Sequence, residues 1–315
     1  MPETIRFLLD PMKAQNVTLE RRELVELAAC LAPRAGYNPT ALNGVRILRT
    51  ETILHDVPVL YKPGAVFVLQ GRKQGMLENE VYLYDEEHYL AVSVPVPFRM
   101  ESMASVERPL LAVYVEFDMS LAGEIVGQVE GRIAGPAAGT ARALSSSRME
   151  PDINDVLLRL LRALRDPVET AVLGTGILRE LHYRMLVGPQ GSAMISALQQ
   201  RGMSGRIMKS LARLRETYHS DISVAALANE AGMSVPSFHV HFKALTGSSP
   251  MQYIKAMRLH EARMMIARQD KTIAEVAASV GYASPAHFSH DFKRHFRRTP
   301  SQEARWVRQH LGELV

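Results

Sequence analysis

The sequence predicts an α+β chain of two domains: a β-sandwich or small barrel with flanking helices, then an all-α domain of two helix-turn-helix units. Three observations predict it. Between residues 45 and 117, short apolar segments alternate with turn residues at the spacing of a strand-rich fold. Beyond residue 200 the apolar residues recur at three and four, the period of helices. In that second region a stretch returns: GMSVPSFHVHFK at 232–243 and GYASPAHFSHDFK at 281–293.

The first domain opens with LERRELVELAACLA, a helical pattern that places Cys30, the single cysteine, on an apolar run as a core thiol. The strands follow as VRILRT, VPVLY, AVFVLQ, VYLY, YLAVSV, FRMES and LLAVYVEF, with KPG, GRKQG, YDEEH and VPVP as turns. Bulky residues on these segments, Phe67, Tyr82, Tyr89, Met103 and Tyr114, are candidates to line a mouth that holds a small organic effector. GRIAGPAAGTARALSSSRMEP is rich in small residues and reads as a loop leaving the sheet. Two helices come next. DINDVLLRLLRALRDP puts Ile153, Val156, Leu157, Leu160, Leu161 and Leu164 on one stripe, and VETAVLGTGILRELHYRMLV supplies the second pattern. These helices pack either on the chain's own first domain or on a second subunit; on the second reading Leu157, Leu160, Leu161 and Leu164 are the expected seam of a homodimer. QQRGMSGR leads onward, which sets the domains at 1–195 and 196–315.

Shifting the first copy of the repeat by 50 lays Ser234 on Ser284, Phe238 on Phe288, Phe242 on Phe292 and Lys243 on Lys293. Upstream the shift is 49, so the second turn carries one extra residue, Ala283. Ser223 is an N-cap for VAALANEA; Gly232 ends that helix and Ser234 caps the next. In the second copy Thr272 and Glu275 spell a capping box, Gly281 stops the helix, and Ser284-Pro285 starts another. Each copy is a helix, a tight turn and a helix, at about 223–245 and 272–296. The Phe pairs face inward, which leaves Pro236, His239, Val240 and Lys243 outward in one copy and Ala286, Ser289, His290 and Lys293 in the other. Small side chains let such a face approach base edges in a major groove. Asp291 borders the inward face with no evident partner. PMQYIKAMRLHEARMMIARQD carries an apolar stripe and reads as a rigid helix joining the copies.

Charge separates the two domains. Residues 201–315 hold 17 Lys and Arg against 9 Asp and Glu, a net of +8, while the remaining 200 hold 20 against 24. A basic domain joined to a mildly acidic one fits a polyanion reader coupled to a part that does not touch the polyanion, or simply a solvated basic surface. Only His55 and His88 precede residue 150, so the clustered ligands of a metal enzyme are missing, and no phosphate loop or nucleophile elbow occurs. No metal, cofactor or catalytic residue is expected. With no signal peptide or long apolar run, the expected location is the cytoplasm, away from membranes.

The run IAEVAASVGYASPAHFSHDFKRHFRRTPSQEAR, within residues 203–310, resembles the DNA-binding domain of the AraC/XylS family of bacterial transcription regulators. The resemblance implies seven helices and base contacts near the N-terminal halves of the helices starting at Val235 and Pro285, with Ser237 among them. It also implies promoter DNA as partner, with RNA polymerase as a further candidate. Arg297 stands where the family usually has Gly, and a left-handed backbone there would cost about 1 kcal/mol, offset in part by a phosphate contact. Arg is missing from the exposed reading faces, so thymine methyl contacts and DNA shape are expected to outweigh guanine readout. LQGRKQG, YLYDEEHYLAVSVPVPF and ASVERPLLAVYVEFD resemble the cupin-like N-terminal domain of the same family. A regulator of transcription, activator or repressor, follows from this. The alternatives are a regulator whose N-terminal half only contacts proteins, and an enzyme with an appended DNA-binding domain.

Overall fold

The structure, a computed structural model, describes residues 6–129, 142–188, 191, 195, 202–268 and 271–314. The expected boundary at 195/196 abuts residues 196–201, which lie outside the described residues, as does most of the expected loop at 131–151.

After α1 (Arg6–Leu31) come nine strands: β1 (Gly36–Pro39), β2 (Val45–Thr50), β3 (Leu54–Tyr61), β4 (Gly64–Gln70), β5 (Arg72–Leu77), β6 (Glu80–Asp85), β7 (His88–Val92), β8 (Val96–Met103) and β9 (Leu110–Glu116). Then follow α2 (Met119–Val129), β10 (Leu144–Arg148), α3 (Pro151–Ala163) and α4 (Pro167–Val187). All pairings are antiparallel in one sheet of order β1-β2-β9-β4-β7-β6-β5-β8-β3, with β10 added on β7. The sheet curls into a half-barrel, so Tyr61 from the β3 edge comes within 6.0 Å of Tyr114 on β9. Strand period sorts the core by face: on β4, Val66 and Val68 point into the hollow while Ala65, Phe67 and Leu69 point out under the helices.

Three elements depart from the sequence reading. GRKQG is no turn beyond Gly71, whose φ of +93° makes the bend; Arg72–Leu77 then pairs with both β6 and β8. Within the expected loop, Leu144–Arg148 forms β10. Cys30 is exposed, because Leu24, Leu27 and Ala28 occupy the face of α1 that meets the sheet.

The dimer seam is corrected as well. Leu157, Leu160 and Leu161 are fully buried and Leu164 is half-buried, all within the core that α1, α3 and α4 form on the outer face of the sheet. The stripe on α3 is thus satisfied inside the chain.

Among the described residues the C-terminal half has seven helices: α5 (Gly202–Thr217), α6 (Val224–Glu230), α7 (Val235–Thr246), α8 (Pro250–Arg268), α9 (Ile273–Ser279), α10 (Pro285–Phe296) and α11 (Pro300–Leu314). Phe288, Phe292 and Phe296 centre one core. Phe238 and Phe242 belong to another, continuous with the hollow of the half-barrel. The two halves are therefore docked. Tyr253 donates to the Pro95 carbonyl at 2.6 Å, buried Arg263 donates to the Pro58 carbonyl at 2.9 Å, and Ala143 N donates to the Leu245 carbonyl at 3.1 Å. Arg263 also lies 2.8 Å from the buried carboxylate of Glu303; burial pushes its guanidinium down to about 10, and the carboxylate keeps it charged.

Candidate nucleic-acid interface

The helix starts of both units are capped as their sequences require. Ser223, Ser234 and Ser284 accept hydrogen bonds from the backbone of Ala226, Ser237 and His287, and Thr272 with Glu275 completes a capping box. Each such cap is worth about 1 kcal/mol. The turns use Gly232 at φ +60° and Gly281 at φ +83°. Each turn is held by an arginine from the long helix before it. Arg206 of α5 donates to the carbonyls of Ala231 and Gly232, and Arg258 of α8 to those of Tyr218, Ser220 and Gly281. The duplicated module is thus three helices, α5–α7 and α8–α10, a relation the sequence concealed because these contacts span more than twenty residues.

The reading helices end alike. Gly247 caps α7 at φ +72° and Arg297 caps α10 at φ +60°, the left-handed geometry in which Arg costs about 1 kcal/mol relative to Gly. Of the expected contact residues, Val235, Pro236, Val240, Lys243, Pro285, Ala286, His290, Lys293 and Arg297 are exposed, and Ser237, His239 and Ser289 are half-buried. They lie on two separate outward faces, one per unit. Arg294 corrects the expectation that these faces lack arginine: it is 62% exposed on α10, one turn beyond His290. His287 joins the same face. Both were legible in the helical period, at 180° and 200° from the start of α10 when the Phe residues sit near 320°.

Asp291 now has partners. Its carboxylate is 2% exposed, and Lys255 of α8 reaches it at 2.8 Å, Arg294 at 3.1 Å, the Tyr282 hydroxyl at 3.4 Å and His287 at 3.5 Å. Burial pushes the carboxyl up, but the hydrogen bond and charge of Lys255, with His287 and Arg294, outweigh it and hold the pKa below its ordinary value. The acid ties α10 to α8 beneath a net positive surface.

The five candidate effector residues do not converge. Phe67 and Tyr89 stack 5.1 Å apart on the outer face under the helices, Met103 is exposed, and only Tyr82 and Tyr114 belong to the hollow. Alternation along the strands sends neighbours to opposite faces, so bulk alone could not select a pocket. A cavity of about 430 Å³ does open between the halves, lined by Tyr37, Arg46, Tyr61 and Tyr114 on one side and Arg215 and Tyr218 on the other. The Arg46 guanidinium sits 4.7 Å over the Tyr37 ring and 4.8 Å over that of Tyr114.

Residues 41–193 match the family model for the AraC-type transcriptional regulator N-terminus, and residues 227–305 match a helix-turn-helix domain model. The transcriptional activator RhaS of Enterobacter sp. is 26% identical over 155 residues, 48% of this chain and 55% of RhaS. The chain spans about half the length of the curated relatives it matches. Among solved structures, an apo variant of ToxT from Vibrio cholerae is similar over 84% of this chain and 98% of its own, with a TM-score of 0.59 at 13% identity. Wild-type ToxT with bound unsaturated fatty acid is similar over 86% and 97%, with a TM-score of 0.56 at 13% identity. These two likenesses are of fold.

Proposed function

The chain belongs to the AraC-type transcription regulators, and we propose on that footing that it binds promoter DNA through α7 and α10 under the control of its half-barrel. The observation that carries this reading is the pair of capped units, each turning an exposed face of small, imidazole and cationic side chains away from its Phe core. Its relatives are transcriptional regulators, so we read no enzyme here. No described helix is long and apolar enough to cross a membrane, and a DNA reader works in the cytoplasm.

The test is binding of the full chain to DNA selected from a random library. With about four phosphate contacts from residues such as Lys293 and Arg297, affinity should fall about a hundredfold between about 50 and 200 mM salt. Binding that ignores salt, or no binding, sinks the reading.

For the effector, the cavity between the halves supports an amphiphilic anion: Arg46 and Arg215 suit a carboxylate, and the tyrosine rings suit an apolar body. The fatty acid bound to ToxT has this chemistry. An unsaturated fatty acid at a hundred times its Kd should stabilise the full chain by about 2.7 kcal/mol, a melting shift of about 5 °C or more, and Arg46→Ala should abolish the shift. An unchanged shift in the Arg46 variant would place the ligand elsewhere.

A further inference from the structure

The two reading helices occupy equivalent places in the repeat, yet their chemistry and surroundings differ. Where α10 carries His287, His290 and Arg294, the 50-residue shift puts Ser237, Val240 and Ala244 on α7. The second unit thus presents an arginine and two imidazoles, organised by Asp291, on an open face: His290 is 73% exposed. Its contact with the half-barrel lies on another side of the helix, where Arg99 of β8 donates to the His295 carbonyl at 3.3 Å.

The first unit is paired with the half-barrel at its charged end. Lys243 is the sole lysine or arginine on α7, and its Nζ lies 3.3 Å from Oε1 of Glu78. Glu78 stands in the two-residue turn between β5 and β6, where Leu77 pairs with Glu80. It adopts φ +54°, a left-handed backbone that a glutamate holds only at some cost. The two-residue turn itself requires a positive φ at that position, which fixes where Glu78 stands. Leu77 packs against Gly247 at the end of α7, so closely that a Cβ on Gly247 would lie 2.8 Å from its Cγ. Beside them Ala143 binds the Leu245 carbonyl, and Arg142 with Tyr82 holds the carboxylate of Glu80. A carboxylate is thereby held against the cation that a DNA phosphate would seek, with the hairpin docked beside it.

We infer that the two units are unequal: α10 is the half that engages DNA first, and α7 is the half withheld by the acidic β5–β6 hairpin, whose Glu78 stands in for a phosphate at Lys243. This rests on the DNA-binding reading and adds the order in which the half-sites fill. Phosphate and Glu78 compete for one ammonium group, and their like charges repel if both approach it. The pair is partly exposed, so each substitution should move binding by a few-fold and not by orders of magnitude.

The experiment is hydroxyl-radical footprinting of the full chain on its selected DNA, titrated with protein. The wild-type chain should fill one half-site at several-fold lower concentration than the other, and His290→Ala with Arg294→Ala should weaken that first half. Glu78→Gln should strengthen the second half about two- to fivefold and Glu78→Lys more, with neither gain in a Lys243→Ala background. Three results overturn the inference: half-sites that fill together in the wild type, no gain from either Glu78 variant, or a gain that persists without Lys243. If none of the chains binds DNA, the regulator reading falls and this inference with it.

Discussion

A chain carrying Leu160→Asp is expected to fail to fold its N-terminal half, and not to lose a partner. Leu160 has no exposed surface and sits among the side chains of α1, α3, α4 and the outer face of the sheet. Truncating such a leucine costs about 2–5 kcal/mol. A carboxylate left there without a partner adds several more, unless it takes up a proton, which itself requires a large pKa shift. The sum reaches the whole stability of an ordinary domain, about 5–15 kcal/mol. The check is circular dichroism with limited proteolysis of the purified full chain. A folded but monomeric protein would show that α3 is a seam after all. The contrasting change is Val168→Asp with Val172→Asp, on the outer face of α4, where both valines are more than 70% exposed. That variant should fold normally.

The comparison of α3 with α4 shows what periodicity can and cannot convey. A stripe at three and four residues says that one face of a helix is covered; it does not say by what. On α3 the cover is the chain's own sheet. The same limit applies to strands. Arg72–Leu77 escaped notice because its polar residues mask a buried face: Lys73 lies almost wholly inside the half-barrel, donating to the Tyr61 hydroxyl at 3.2 Å and lying 5.9 Å from the Tyr84 ring. A lysine in such a place is invisible to a count of apolar residues. Caps and turns, by contrast, depend on residues within four of one another, so Ser234, Ser284, Thr272, Glu275, Gly232 and Gly281 all do what their spacing predicts. Asp291 falls between these cases. Two of its partners, His287 and Arg294, are local, but the nearest, Lys255, comes from the preceding long helix. Only the tertiary fold could explain it.

The docking of the halves sets the terms on which the site can act. Arg263 and Glu303 form a buried ion pair whose arginine reaches across to the β3 backbone at Pro58, and His260 and His295 meet in the same seam with Nε2 atoms 3.3 Å apart. Burial, with the charges of Arg99 and Arg263, pushes His295 down to about 4, so it is neutral at ordinary pH and one ring N–H can bridge the pair. A seam built from paired buried charges is specific in geometry, and removing one partner leaves the other exposed to the full desolvation penalty. The arrangement in which the β5–β6 hairpin meets α7 at Lys243 and leaves the His287, His290 and Arg294 face of α10 clear is consequently a defined state of the chain.

The repeat itself yields the sharpest test of the interface. Helix α8 has 19 residues and so spans about 28 Å, a rigid spacer of the order of the 34 Å between successive major grooves on one DNA face. In a chain that carries Glu78→Gln, so that the hairpin does not weaken the first reader, His239→Ala with Val240→Ala should alter base preference at one end of the selected site. Ser289→Ala with His290→Ala should alter it at the other. Each lost base contact should cost about 1–3 kcal/mol at its own position and leave the opposite end unchanged. Lys293→Ala should weaken binding to every sequence alike, because a phosphate carries no base identity. Selection from a random DNA library, run on each variant, separates these effects position by position. Two altered ends about 10 base pairs apart identify a bipartite reader lying along one face of the duplex. If both double variants change the same base pairs, or the second changes none, then α10 braces the domain and contributes only phosphate contacts, and the sequence preference belongs to α7 alone.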